Sequence, residues 1–65
     1  MIEFKDLIEG QCLVLEGKKV KLEYHKVFNH SFKWQIVYEN GLSSSWMKSE
    51  YLLELLNKLN AILTY

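Results

Sequence analysis

Arginine and proline are absent from this 65-residue chain, and cysteine and aspartate each occur once. All eight basic residues are lysines. Without arginine the bidentate contact to guanine is unavailable, so any nucleic-acid binding would be weak, sequence-blind and strongly salt-dependent. A lone Cys12 cannot close an internal disulfide, and no charged-then-apolar leader begins the chain. Both features point to a reducing, cytoplasmic setting. The single aspartate, Asp6, falls with Glu3 and Glu9 on a solvated face, which leaves no facing pair of carboxylates for hydrolysis. Gly10, Gly17 and Gly41 are isolated turn residues, so there is no glycine-rich phosphate loop. Apolar runs are short, and those in the last third, such as Leu52 with Leu53 and Leu55 with Leu56, are broken at once by Glu54 and Asn57. No membrane span is expected.

Catalysis and metal binding are excluded on similar grounds. Cys12 with His25 or His30 offers in principle a nucleophile and a base, but Cys12 lies in an apolar run, where a thiol is an inert filler. The spacing of the same three residues matches no zinc pattern. The expectation is a non-enzymatic protein with no catalytic residues, no cofactor and no metal.

What the chain does contain is a single domain, near the lower size limit for a core unaided by disulfides or metal. Self-association would help such a core, and a homodimer is expected on that ground. Formal net charge is zero, yet its distribution is uneven. Residues 1–16 carry one lysine against four acids, residues 17–33 five lysines against one glutamate, and the remainder two lysines against three glutamates.

Local pattern then gives the elements. Counting about 100° per residue, Tyr51, Leu52, Leu55, Leu56, Leu59, Ile62 and Leu63 share an arc of roughly 140°, which predicts a long C-terminal amphipathic helix over residues 48–63. At about 24 Å it needs an apolar surface of matching length. Phe4, Leu7 and Ile8 at helical spacing, with Gly10 as a stop, predict a short N-terminal helix over residues 2–9. Residues 11–16 and 19–25 read as strands joined by a Gly17-Lys18 turn, pairing Leu15 with Val20 and Leu13 with Leu22. Val20, Leu22 and Tyr24 alternate with Lys19, Lys21, Glu23 and His25, and Phe32, Trp34, Ile36 and Tyr38 alternate with Lys33, Gln35, Val37 and Glu39. Joining the two apolar faces requires even positions opposite even positions, and a loop of Asn29, His30 and Ser31 meets this while setting Lys21 opposite Glu39. Asn40-Gly41 signals a further hairpin, with a short strand over residues 42–46 and Ser45 or Ser49 capping the helix. The predicted fold is α+β: a short N-terminal helix, a three- to four-stranded antiparallel meander, and a long C-terminal helix packed on the sheet.

Trp34-x-Ile36-x-Tyr38-x-Asn40-Gly41, with Trp46 beyond, resembles the central hairpin of Tudor and other small SH3-like barrels. That resemblance implies an alternative fold, a small barrel with a C-terminal helix, in which some of Tyr24, Phe32, Trp34, Tyr38 and Trp46 form an aromatic pocket for a cation or peptide.

Two functions fit these observations. The first is a small protein-interaction module, a regulator or inhibitor of a protein partner of the kind that phages and mobile elements encode. Its candidate interface is Trp46, Leu53 and Tyr65: Leu53 and Tyr65 are the apolar side chains least explained by the core, and aromatic residues such as Trp46 are favoured at interfaces. The alternative is weak, sequence-nonspecific nucleic-acid binding through the basic hairpin of residues 18–33, with Lys18, Lys19, Lys21, His25, His30 and Lys33 as contacts.

Overall fold

A computed structural model describes residues 1–26 and 31–64. Four strands, β1 (Cys12–Leu15), β2 (Lys18–Tyr24), β3 (Trp34–Tyr38) and β4 (Ile62–Thr64), form one antiparallel sheet in the order β3-β2-β1-β4. One helix, α1 (Ser49–Lys58), packs on one face of it. The α+β class is as expected; the lengths of both helices are not. In strand order the sheet ends at β3 on one side and at β4 on the other.

The core is built by strand alternation. Leu13, Leu15, Val20, Leu22 and Ile36 project to one side and meet Leu52 and Leu56 of the helix, with Ile2, Trp34 and Met47 closing the ends. The faces are as the alternation predicts, whereas both registers are displaced by two residues. In the first hairpin Leu15 pairs with Lys18 and Leu13 with Val20. The two loop residues are therefore Glu16 and Gly17, at φ 51° and 78°, where a type I′ turn needs positive φ. In the second pair Leu22 stands opposite Ile36, and Lys21 opposite Val37 rather than Glu39. A two-residue slip leaves every side chain on its own face, so burial cannot oppose it. The expected loop of Asn29 to Ser31 falls largely outside the described residues.

The N-terminal helix is reduced to a 3-10 turn over Phe4–Asp6, closed by the Glu3 amide donating to the Asp6 carboxylate at 2.9 Å. Residues beyond it are drawn into the sheet. The Gly10 amide donates to the Leu22 carbonyl at 2.8 Å, and the Leu22 amide to the Gln11 carbonyl at 3.0 Å. Two residues thus oppose one, with Gly10 at φ 85°, the arrangement of a G1 bulge. Pairing to β2 outweighs the helical spacing of Phe4, Leu7 and Ile8.

The C-terminal helix stops five residues early. Asn60 takes φ 54° just past the Leu59 cap, its amide donates to the Asn57 carbonyl, and the Ala61 amide donates to the Leu56 carbonyl at 2.9 Å. Those two bonds make a Schellman stop. Residues Ile62–Thr64 then run along β1, and Leu63 enters the core face opposite Leu13, while Ile62 faces away opposite Val14. No helix among the described residues is long and apolar enough to cross a membrane.

Residues 42–47 do not form a regular fourth strand, although they follow the β3 edge. The hairpin loop has three residues, Glu39 to Gly41, with Gly41 at φ 89° and the Tyr38 amide bonded to the Leu42 carbonyl at 2.8 Å. Val37 then bridges Ser43, and the Ser44 amide donates to the Ile36 carbonyl. Further on, Trp34 bridges Met47 instead of Trp46, so one extra residue has entered between them. That bulge turns Met47 into the core and leaves Trp46 outside.

Candidate functional site

The bulge in residues 45–46 builds the most distinctive surface of the molecule, at the end of the sheet where β2 finishes and β3 begins. Trp46 is 37% exposed, and its ring lies 4.9 Å from that of His25, tilted by 48°. The His25 amide donates to the Lys33 carbonyl at 2.7 Å, which holds the strand ends together. Phe32 is exposed as well, with the Lys48 ammonium 5.3 Å from its ring centre, and the Lys33 ammonium stands 5.8 Å from the Tyr24 ring. Both distances are within the range of cation–π attraction.

This end rests on a fixed support. Tyr24 meets Trp34 edge to face at 4.9 Å, and the Trp34 indole N–H donates to the Ser49 hydroxyl at 2.9 Å. Ser49 therefore serves the indole; it is the first residue of the helix, whose cap position is Lys48 with no side-chain capping bond. Neither Ser45 nor Ser49 caps the helix by its hydroxyl, contrary to expectation.

The structure disperses the residues predicted for a protein interface. Trp46 is exposed on the aromatic end. Leu53 packs partly against the core and is not the unexplained side chain the helical wheel suggests. The fully buried pair Leu52 and Leu56 sets the direction of the buried face; at about 100° per residue its midpoint is about 80° from Leu53 and about 120° from Tyr51. Tyr51, placed on the stripe by its spacing, is accordingly 58% exposed. Tyr65 lies outside the described residues.

The basic residues divide into two groups. Lys18, Lys19 and Lys21 occupy the first half of β2, and His25 and Lys33 belong to the aromatic end; His30 lies outside the described residues. At about 3.3 Å per residue, Lys18 and His25 are roughly 23 Å apart. Acids interrupt the lysines: Glu23 sits between the groups on the outer face, and Glu39 lines the same two clefts as Lys19. The larger cleft, about 750 Å³ at the hairpin turns, sets Lys18 and Lys19 beside Tyr38, Glu39 and Asn40. The second, about 380 Å³, lies on the outer sheet face around Lys21 and Val37. Their concavity is not matched by convergent chemistry, because each mixes lysine with glutamate.

Lys48 is the member of the aromatic end that sequence reasoning missed. The signal was its place two residues after Trp46, where an extended chain brings both to one side. Among the described residues no three of histidine, cysteine, aspartate and glutamate gather to hold a metal. Cys12 is exposed on the outer sheet face opposite Lys21 and Thr64, and His25 is engaged with Trp46. No protein-family model, curated protein or solved structure matches the chain.

Proposed function

We propose that the chain is a protein-binding module whose contact surface is the aromatic and cationic end around Trp46, and that its partner presents an acidic segment. The observation that carries this reading is the bulge before Met47, which holds a tryptophan outside the core. A large ring so held loses little freedom on binding, and tryptophan and tyrosine dominate the energetics of interfaces. Lys33 and Lys48 flank the surface and supply complementary charge for an acidic partner. A module of this kind acts by occupying its partner, as a regulator or inhibitor does.

A second reading draws on the same rings. Single-stranded nucleic acid stacks its bases on aromatic side chains lined by cations, and Phe32 and Trp46 with Lys33 and Lys48 supply both. The basic-hairpin version of this reading is weakened by the separation of Lys18, Lys19 and Lys21 from His25 and Lys33.

Selection from a displayed library of random peptides tests the proposal, with each recovered peptide measured against the wild-type chain and Trp46→Ala. Acidic peptides that lose at least tenfold affinity on the variant support it. Recovery of peptides indifferent to Trp46→Ala, or tight binding of oligo-dT in their place, overturns it.

A further inference from the structure

The two edges of the sheet are treated differently by the chain. The β3 edge is covered by residues 42–47, whose backbone and Ser44 hydroxyl bond to Trp34, Ile36 and Tyr38. The β4 edge carries no charge, no proline and no bulge, so of the devices that discourage strand addition it keeps only its shortness, three residues. Its backbone directions follow from β1. The Leu22 amide donates to the Gln11 carbonyl, so residues 11, 13 and 15 turn their backbone groups toward β2 and Cys12 and Val14 turn theirs toward β4. The Gln11 side-chain amide donates to the carbonyls of both Cys12 and Thr64, which places those two in the seam. Thr64 and Ile62, opposite Cys12 and Val14, are thus engaged by β1. Leu63 is left with its N–H and C=O directed away from the sheet.

From this we infer that the β4 edge binds a second copy of the chain, antiparallel and centred on Leu63. The occupant is argued from self-complementarity. An outward N–H and C=O on one residue form, across a two-fold axis, a reciprocal pair of hydrogen bonds between the two copies of Leu63. The flanking outer-face positions then set Ile62 of one copy beside Thr64 of the other, in a row continued by Val14 on one side and Cys12 on the other. No charge enters that row, and the zero net charge of the chain opposes no approach of like copies. Ile62, 63% exposed in the single chain, is covered in the pair. The two Trp46 ends remain free at the far sides of an eight-stranded sheet. The inference stands apart from the Trp46 reading, since the two surfaces lie on opposite sides of the sheet.

Sedimentation equilibrium from micromolar to millimolar concentration, with amide exchange of Leu63 followed across the same range, tests this. The mass is expected to rise from 7.8 kDa toward twice that value as the Leu63 amide becomes protected. Ile62→Lys, which places a charge in the shared row, should weaken association by about tenfold or more. Tyr51→Lys on the exposed helix face should leave it unchanged, with both variants retaining the wild-type circular dichroism. If Ile62→Lys fails to fold, the concentration dependence of Leu63 exchange in the wild-type chain decides alone. A chain that stays at 7.8 kDa throughout, or one that associates with Leu63 unprotected, overturns the inference.

Discussion

Asn57 clamps Ile2 in both directions. Its amide oxygen accepts from the Ile2 N–H at 2.8 Å and its amide nitrogen donates to the Ile2 carbonyl at 2.9 Å, joining residues 55 apart in sequence. The side chain of a helix residue thereby does for the N-terminal segment what a neighbouring strand would do, and Ile2 is delivered into the core beside the helix.

Asn57→Ala should remove both bonds and release Ile2, at a cost of about 1–3 kcal/mol. Asn57→Asp keeps an acceptor for the amide but sets a carboxylate against the Ile2 carbonyl, and it should be no better tolerated. Urea unfolding measures both, and proteolysis near Ile2 should accelerate in each variant before global unfolding.

Glu16 and Asn60 are the two non-glycine residues with positive φ among those described. Left-handed backbone costs an ordinary L-residue about 1–2 kcal/mol, which asparagine relieves in part and glycine almost wholly. Glu16→Asn and Asn60→Gly should each raise stability, by about 0.5–1 kcal/mol, and Asn60→Val should lower it by more. Thermal denaturation of the three variants checks the signs.

Trp34 and Ser49 form a side-chain pair that ties β3 to the start of the helix. A double-mutant cycle of Trp34→Phe and Ser49→Ala should give a coupling energy of about 1 kcal/mol, the worth of a neutral hydrogen bond. Trp34→Phe alone should cost more, because the smaller ring also leaves space in the core.

Trp46 lies outside the core, so Trp46→Ala should shift stability by no more than about 1 kcal/mol. Leu56→Ala, in contrast, empties a fully buried site and should cost about 2–5 kcal/mol. For a domain of this size that is enough to unfold much of the population at room temperature. The pair of variants separates loss of binding from loss of fold, and circular dichroism reads the difference.

What was legible in the sequence, and what was not, follows from one property of strands. Side chains alternate with a period of two, so the pattern in Val20, Leu22, Tyr24, Trp34 and Ile36 names the buried face without naming the partner across the ladder. Both hairpins are accordingly displaced by two residues from their expected pairing, the one shift that alternation cannot sense. The end of the helix was hidden for a different reason. Ile62 and Leu63 fit a helical stripe as well as they fit a strand, and only Asn60, a residue tolerant of left-handed backbone, marked the change. A two-residue loop after Glu39 was expected to send Trp46 to the face away from the core; a three-residue loop and a bulge together place it there. The aromatic end is built from separate pairs, His25 with Trp46 and Phe32 with Lys48, and no local pattern brings either pair together.

The most direct test of the Trp46 surface is an amide-resolved NMR titration with an acidic peptide recovered by selection and, separately, with oligo-dT, each at low and near-physiological salt. The expected result is peptide-induced shifts at Tyr24, His25, Phe32, Lys33, Trp46 and Lys48, persisting at the higher salt, with Lys18, Lys19 and Lys21 unmoved. Shifts that instead follow oligo-dT, or that concentrate on Lys18, Lys19 and Lys21 and fade with salt, would contradict it.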